Sequence, residues 1–210
     1  KQETIVYTDY YKTYYSMGVV ILPEAWDVYP EVGDEIGVFD SNNNLCGSAV
    51  YEGGITIFLS HGDDKDSDIK EGLNENEPIT IKVYSALTNI ERIFEVESWE
   101  LGDGTFEVNK NCVANKIVET KPENNILFPV SPNPANDLVR LSFYLCEEGF
   151  VDISICDIQG SVVSNLISKD LEKGYYSYTN QINNLNSGYY IIKYFFADKI
   201  HTQKLSVIKL

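Results

Sequence analysis

The sequence predicts an all-β protein: two β-sandwiches of Ig-like build, in tandem and joined by a short linker. Three observations carry that expectation. Apolar residues fall in short runs or strict alternation, and no window of eleven or more residues shows a 3.6-residue period. Clusters of Gly, Asn and Asp separate these runs. The charge balance breaks near residue 121: residues 1–121 hold 9 Lys and Arg against 23 Asp and Glu, and residues 122–210 hold 7 against 9. The expected domains are therefore 1–121, an acidic module for binding or structure, and 122–210, a smaller seven-stranded sandwich. A chain of 210 residues suits two domains of roughly 100 each.

In the first domain the runs place strands at about 4–8, 16–22, 34–40, 45–51, 55–60, 79–85, 90–98 and 113–118. Ser41-Asn42-Asn43-Asn44, Glu52-Gly53-Gly54 and Leu101-Gly102-Asp103-Gly104 supply turns between them. The linker falls at 119–126, where Pro122 and the Asn124-Asn125 pair are poor strand material. Beyond it, Val139, Leu141, Phe143 and Leu145 alternate with polar residues, as do Val151, Ile153 and Ile155. Around Glu147-Glu148-Gly149 these two runs read as a hairpin with one buried face, Phe143 opposite Ile153. Further strands are expected at about 161–167, 174–181, 188–196 and 200–208.

Four cysteines, two per half, invite one disulfide in each. The hairpin register sets Cys156 opposite Arg140, some six residues or ~20 Å from Cys146. A disulfide needs Cα atoms within ~7 Å, which leaves Cys46–Cys112 as the candidate pair. With two His and no C-x-x-C, a zinc site is not expected.

A net charge of −16 repels phosphate backbones and anionic lipid surfaces, so nucleic acid is not an expected partner. No apolar run approaches the ~20 residues of a transmembrane segment. The strongest metal candidate is the stretch His61–Gly72, with Asp63, Asp64, Asp66, Asp68 and Glu71 as candidate calcium ligands. Closely spaced carboxylates repel one another, and a hard cation relieves that. Position 6 of the loop counted from Asp64 is Ile69, and strands are expected on both sides, so it is not an EF-hand. A solvated acidic loop without metal is the plainer reading. Trp26 and Trp99, with the tyrosines near the start of the chain, are candidates for stacking on a surface glycan. Neither His61 nor His201 lies near a nucleophile motif, so no enzyme is expected.

The order and spacing of four short motifs in the second half add a family likeness. Pro132-Asn133-Pro134-Ala135, then Asp157-Ile158-Gln159-Gly160, then Leu185-x-x-Gly188-x-Tyr190, then Lys204-Leu205 together resemble the type A C-terminal sorting domain of type IX secretion. That resemblance implies export across the outer membrane and an extracellular or surface location. It implies recognition by translocon and shuttle components, and release by a sortase with surface anchoring. Pro132, Asn133, Pro134, Gly160, Leu185, Gly188, Tyr190 and Lys204 would carry the signal. Tyr15–Val20, Gly33–Phe39 and Cys46–Val50 resemble a β-rich module often found before such domains, which implies placement rather than chemistry. The expected function is a secreted, non-enzymatic protein for binding, adhesion or structure, with a surface glycan or another surface protein as partner. The alternatives are a filament or spacer subunit, and the ancillary region of a larger secreted hydrolase.

Overall fold

The computed structural model describes residues 6–209. The protein is all-β, as expected, with fourteen strands and one 3₁₀ turn at Pro23–Ala25 among the described residues. It divides into two compact units: residues 1–87 with 91–121, and residues 88–90 with 122–210.

The first unit is built on β1 (Ser16–Ile21), β2 (Glu35–Phe39), β3 (Leu45–Val50), β4 (Thr56–His61), β5 (Thr80–Ser85), β6 (Ile90–Leu101) and β7 (Asn111–Thr120). These form one seven-stranded sheet in the order β3-β2-β5-β6-β7-β1-β4. The pairs β2–β3, β2–β5, β6–β7 and β1–β4 are antiparallel, and β1 runs parallel to β7. The sheet curls until its two terminal strands meet. A Cβ on Gly47 of β3 would lie 2.2 Å from the carbonyl oxygen of Leu59 on β4. The enclosed core includes Val19, Ile21, Ile36, Val38, Ile81, Phe94 and Ile117. Of the strand expected at 4–8, Thr4 and Ile5 lie outside the described residues, and Val6–Thr8 form a bend and turn.

The second unit holds β8 (Ile126–Leu127), β9 (Leu138–Leu145), β10 (Gly149–Cys156), β11 (Val162–Leu171), β12 (Gly174–Gln181), β13 (Gly188–Phe196) and β14 (Lys199–Val207). They make a four-stranded sheet, β11-β10-β13-β14, and a three-stranded sheet, β12-β9-β8. Val139, Leu141 and Phe143 of one sheet and Ile153, Ile155 and Tyr194 of the other are fully buried in one core.

The expected hairpin of β9 with β10 is not there. The two strands are consecutive but lie in opposite sheets, β9 pairing with β12 and β10 with β11 and β13. Alternation reports which face of a strand is buried, and a chain that crosses from sheet to sheet buries the same faces as a hairpin does. The cysteine expectation needs correction as well. Cys46 on β3 and Cys112 on β7 are separate free thiols, as are Cys146 and Cys156. Cys46 and Cys112 sit on strands that are not neighbours in the sheet. Burial first, then the nearby Asp40 carboxylate, pushes the Cys46 thiol up to about 12, and burial pushes Cys112 up to about 11.

The approach at Gly47 makes a direct test. Gly47→Ala forces the backbone of β3 away from β4 and should cost about 2–3 kcal/mol in urea unfolding. Gly54→Ala, where a Cβ meets nothing within 4 Å, should leave the midpoint within about 0.5 kcal/mol.

Candidate functional site

The four motifs of the second half converge on one pole of its sandwich. β10 pairs with β13 so that Cys156 faces Ile191, and β13 pairs with β14 so that Gly188 faces Val207 and Tyr190 faces Leu205. The end of β10, the start of β13 and the end of β14 are therefore side by side. The turn after β10 joins them. Asp157 Oδ1 accepts the amides of Gln159 and Ser161, both at 2.9 Å, and Gly160 adopts φ +88°, which only glycine takes without strain.

The Pro-Asn-Pro-Ala segment docks on the outer edge of β14. Asn133 Nδ2 donates to the Lys204 carbonyl at 2.9 Å, and Asn133 Oδ1 accepts the Ser206 amide at 2.9 Å. Ala135 continues the pairing, donating to Ser206 O and accepting from the Ile208 amide, each at 2.8 Å. The Asn133 carboxamide thus does the work of a strand's backbone. Leu185 is buried in the core, and the Tyr190 hydroxyl donates to Asn186 O at 3.1 Å. Lys209 closes the pole, its amide donating to Ser187 Oγ and its ammonium to Ile182 O.

The sorting-signal residues thereby separate into anchors and display. Leu185 and half-buried Tyr190 are anchors, whereas Pro132, Asn133, Pro134, Gly160, Gly188 and Lys204 are exposed. The exposed apolar residues Ile158 (72%), Tyr189 (62%) and Val162 (54%) stand among them. Lys204 Nζ lies 4.3 Å from the Tyr189 ring centre, a cation held over an aromatic face. Such a mixture of exposed apolar side chains with a cation is typical of surfaces that other proteins recognise.

Sequence candidates in the first unit fare differently. The acidic stretch is the loop between β4 and β5. Asp63 Oδ1 accepts the Glu71 amide at 2.7 Å and Asp64 Oδ1 the Asp66 amide at 3.0 Å. Asp66 and Asp68 are exposed. Among the described residues no three His, Cys, Asp or Glu side chains are grouped as a metal would require. Trp26 is a core residue, 4% exposed and edge-on to Phe94 at 5.1 Å. Its bridge to Ile117 draws it inward, so it cannot stack on a ligand. Trp99 packs against the same core. Gly104 lies against its indole, where a Cβ would come 2.6 Å from Nε1, so that side of the ring is taken.

The sequence did not reveal what anchors the acidic loop. Lys70 reaches back to Asp40 at 3.0 Å and Glu77 at 2.9 Å, both buried carboxylates. Glu77 also accepts the amide and hydroxyl of Ser41 and the amide of Asn74. Burial opposes its charge, but the Ser41, Asn74 and Lys70 donors prevail and hold it down at about 2. A Lys, a Glu and an Asp spread over 38 positions carry no local pattern that would have announced the set.

Residues 129–209 match the secretion system C-terminal sorting domain, so the second unit carries a type IX secretion sorting domain and the protein is secreted or displayed on the cell surface. No curated protein matches the chain. Among solved structures, a biofilm associated protein, BSP domain, aligns at 12% identity and TM-score 0.32, over 84% of this chain and 25% of its own. The chain thus spans about a quarter of that protein's length, and so low a TM-score transfers nothing from it. No helix among the described residues is long and apolar enough to cross a membrane.

The Glu77 set predicts a pH signature. Its folded pKa lies below the unfolded value near 4.5. The stabilisation is therefore complete above about pH 4.5 and lost as pH falls towards 2, by about 3 kcal/mol in all. Lys70→Met should cost about 3 kcal/mol at pH 7 by leaving two buried carboxylates without their cation, and the urea midpoints of the two proteins should draw together only as pH falls below about 4 towards 2.

Proposed function

We propose that the chain is a non-catalytic surface protein whose first unit binds a surface partner and whose second unit is read by the export machinery through the motif pole. The observation that carries this reading is the convergence of Asn133, Gly160, Gly188 and Lys204 on one end of a closed sandwich, with Ile158 and Tyr189 exposed beside them. Translocon, shuttle and sortase components would each need a rigid, exposed feature to recognise, and the pole offers one.

The non-catalytic part is supported by how the reactive side chains are engaged. The two core thiols of the first unit are held well above neutral pKa. The buried His61 ring lies 3.1 Å from the Thr13 carbonyl oxygen through Nδ1, and His201 stacks on Phe196 at 5.1 Å. Among the described residues neither ring has a hydrogen bond to a Ser, Thr or Cys side chain.

Two variants separate address from fold. Removing residues 129–209 should retain the protein inside the cell, and export at normal levels without them would refute the reading. Replacing Ile158 and Tyr189 by Ser changes only exposed side chains. It should lower the amount recovered from the cell surface at least tenfold while leaving the melting temperature within ~2 °C. If surface recovery is unchanged, the pole is not what the machinery reads.

A further inference from the structure

The N-terminal segment of the first unit is fixed at both ends and arches between. At one end Glu35 accepts the amides of Val6 and Tyr7, at 2.8 and 2.6 Å, and Ser48 donates to Tyr7 O at 2.7 Å. At the other end Thr13 Oγ1 donates to Gly62 O and the Gly62 amide to Tyr15 O, both at 2.7 Å. The arch brings Asp9, Tyr10 and Tyr11 over the turn Asp40–Asn44 and over Glu71. A cavity of about 460 Å³ lies there, lined by Asp9, Tyr10, Tyr11, Asn43, Asn44 and Glu71, with Leu45 and Lys70 completing it. That volume falls within the ~300–1,000 Å³ of small-ligand sites.

The lining has a definite chemistry. Tyr11 is 55% exposed, and the Tyr10 ring is set against His61 at 5.9 Å. Tyr11 offers an apolar ring face with a polar tip, whereas the Tyr10 ring also has Lys12 Nζ over it at 5.7 Å. The floor is rigid, because Asp40 Oδ1 accepts the amides of both Asn42 and Asn44, and Asn43 sits at φ +67°. Asn43 Oδ1 accepts from Lys82 Nζ and Asn44 Nδ2 donates to Asp40 Oδ2, which leaves Asn43 Nδ2 to donate and Asn44 Oδ1 to accept. Asp9 and Glu71 bring carboxylates, which take hydroxyl protons, and neither forms an ion pair among the described residues. Lys70 is already engaged by Asp40 and Glu77. Ring faces beside acceptors and amides are what a pyranose presents a match for, with C–H groups on its faces and hydroxyls at its rim.

We infer that this cavity is a saccharide site, selective for neutral or amino hexoses over anionic sugars. The selectivity follows from Asp9 and Glu71, which repel a uronate or sialate carboxylate, and from the acidic balance of the unit around them. The inference rests on the reading of the first unit as a binding module and names the ligand class of that module.

The test uses the full chain on an array of neutral, amino and anionic oligosaccharides, followed by titration calorimetry with the best neutral or amino ligand. Binding of neutral or amino hexoses is expected, weakened at least tenfold by Tyr11→Ala and by Asp9→Asn with the melting temperature unchanged. Because Tyr11 is exposed, its loss tests the site and not the fold. Binding to no neutral or amino sugar, binding indifferent to both variants, or a preference for anionic glycans would each overturn the proposal. A cell-adhesion assay on the same protein keeps the two readings apart. Adhesion without sugar binding overturns the saccharide site and leaves the binding module standing, whereas sugar binding lost in Tyr11→Ala supports the site whatever the adhesion result.

Discussion

An edge strand presents a row of unpaired amides and carbonyls that must be covered, paired or charged, and in the second unit the edge of β14 imposes that requirement on everything at the motif pole. The Asn133 carboxamide and the Ala135 backbone meet it over residues 204–208. By doing so they fasten the first motif of the sorting domain to the last, about seventy residues on. The loop carrying Leu185 is then held beneath Lys209, and β13 begins at Gly188 in register with Val207. Four motifs that are each a weak turn or strand signal become one surface because one edge has to be closed.

The first unit solves a different problem. Its sheet closes on itself, so the edges cover one another where Gly47 meets Leu59. What needs fixing is the irregular chain laid over it, and that is done with buried charge. Glu35 holds the N-terminal arch, while Asp40 and Glu77 hold the acidic loop through Lys70. Buried carboxylates are costly unless their lone pairs are met, and here amides, hydroxyls and an ammonium meet them.

How much of this was legible follows from the range of each interaction. Strand positions were readable because alternation is local: β9, β10, β12 and β13 fall within a few residues of their expected bounds. Which strand pairs with which was not, since Phe143 and Ile153 face one core from opposite sheets and alternation is blind to that choice. The two-residue β8 was too short to show a period. Trp26, between Ala25 and Asp27, shows no local pattern of burial, and long-range contacts with Ile117 and Phe94 bury it. The motif residues of the pole were legible as a set, while the reason for Asn133, a bond to residues 71 and 73 positions away, was not.

The uneven charge now has a physical sense. Several of the first unit's acidic residues, among them Asp34, Glu35, Asp40, Glu77 and Glu119, are buried, so they are structural groups rather than a solvated coat. The remaining exposed carboxylates keep the surface acidic, which disfavours anionic ligands and self-association in the open. The second unit, with 7 cations against 9 anions over 122–210, has no such field. Its pole displays Lys204 over Tyr189 beside aliphatic residues, and a near-neutral surface imposes little electrostatic barrier on close approach by another protein.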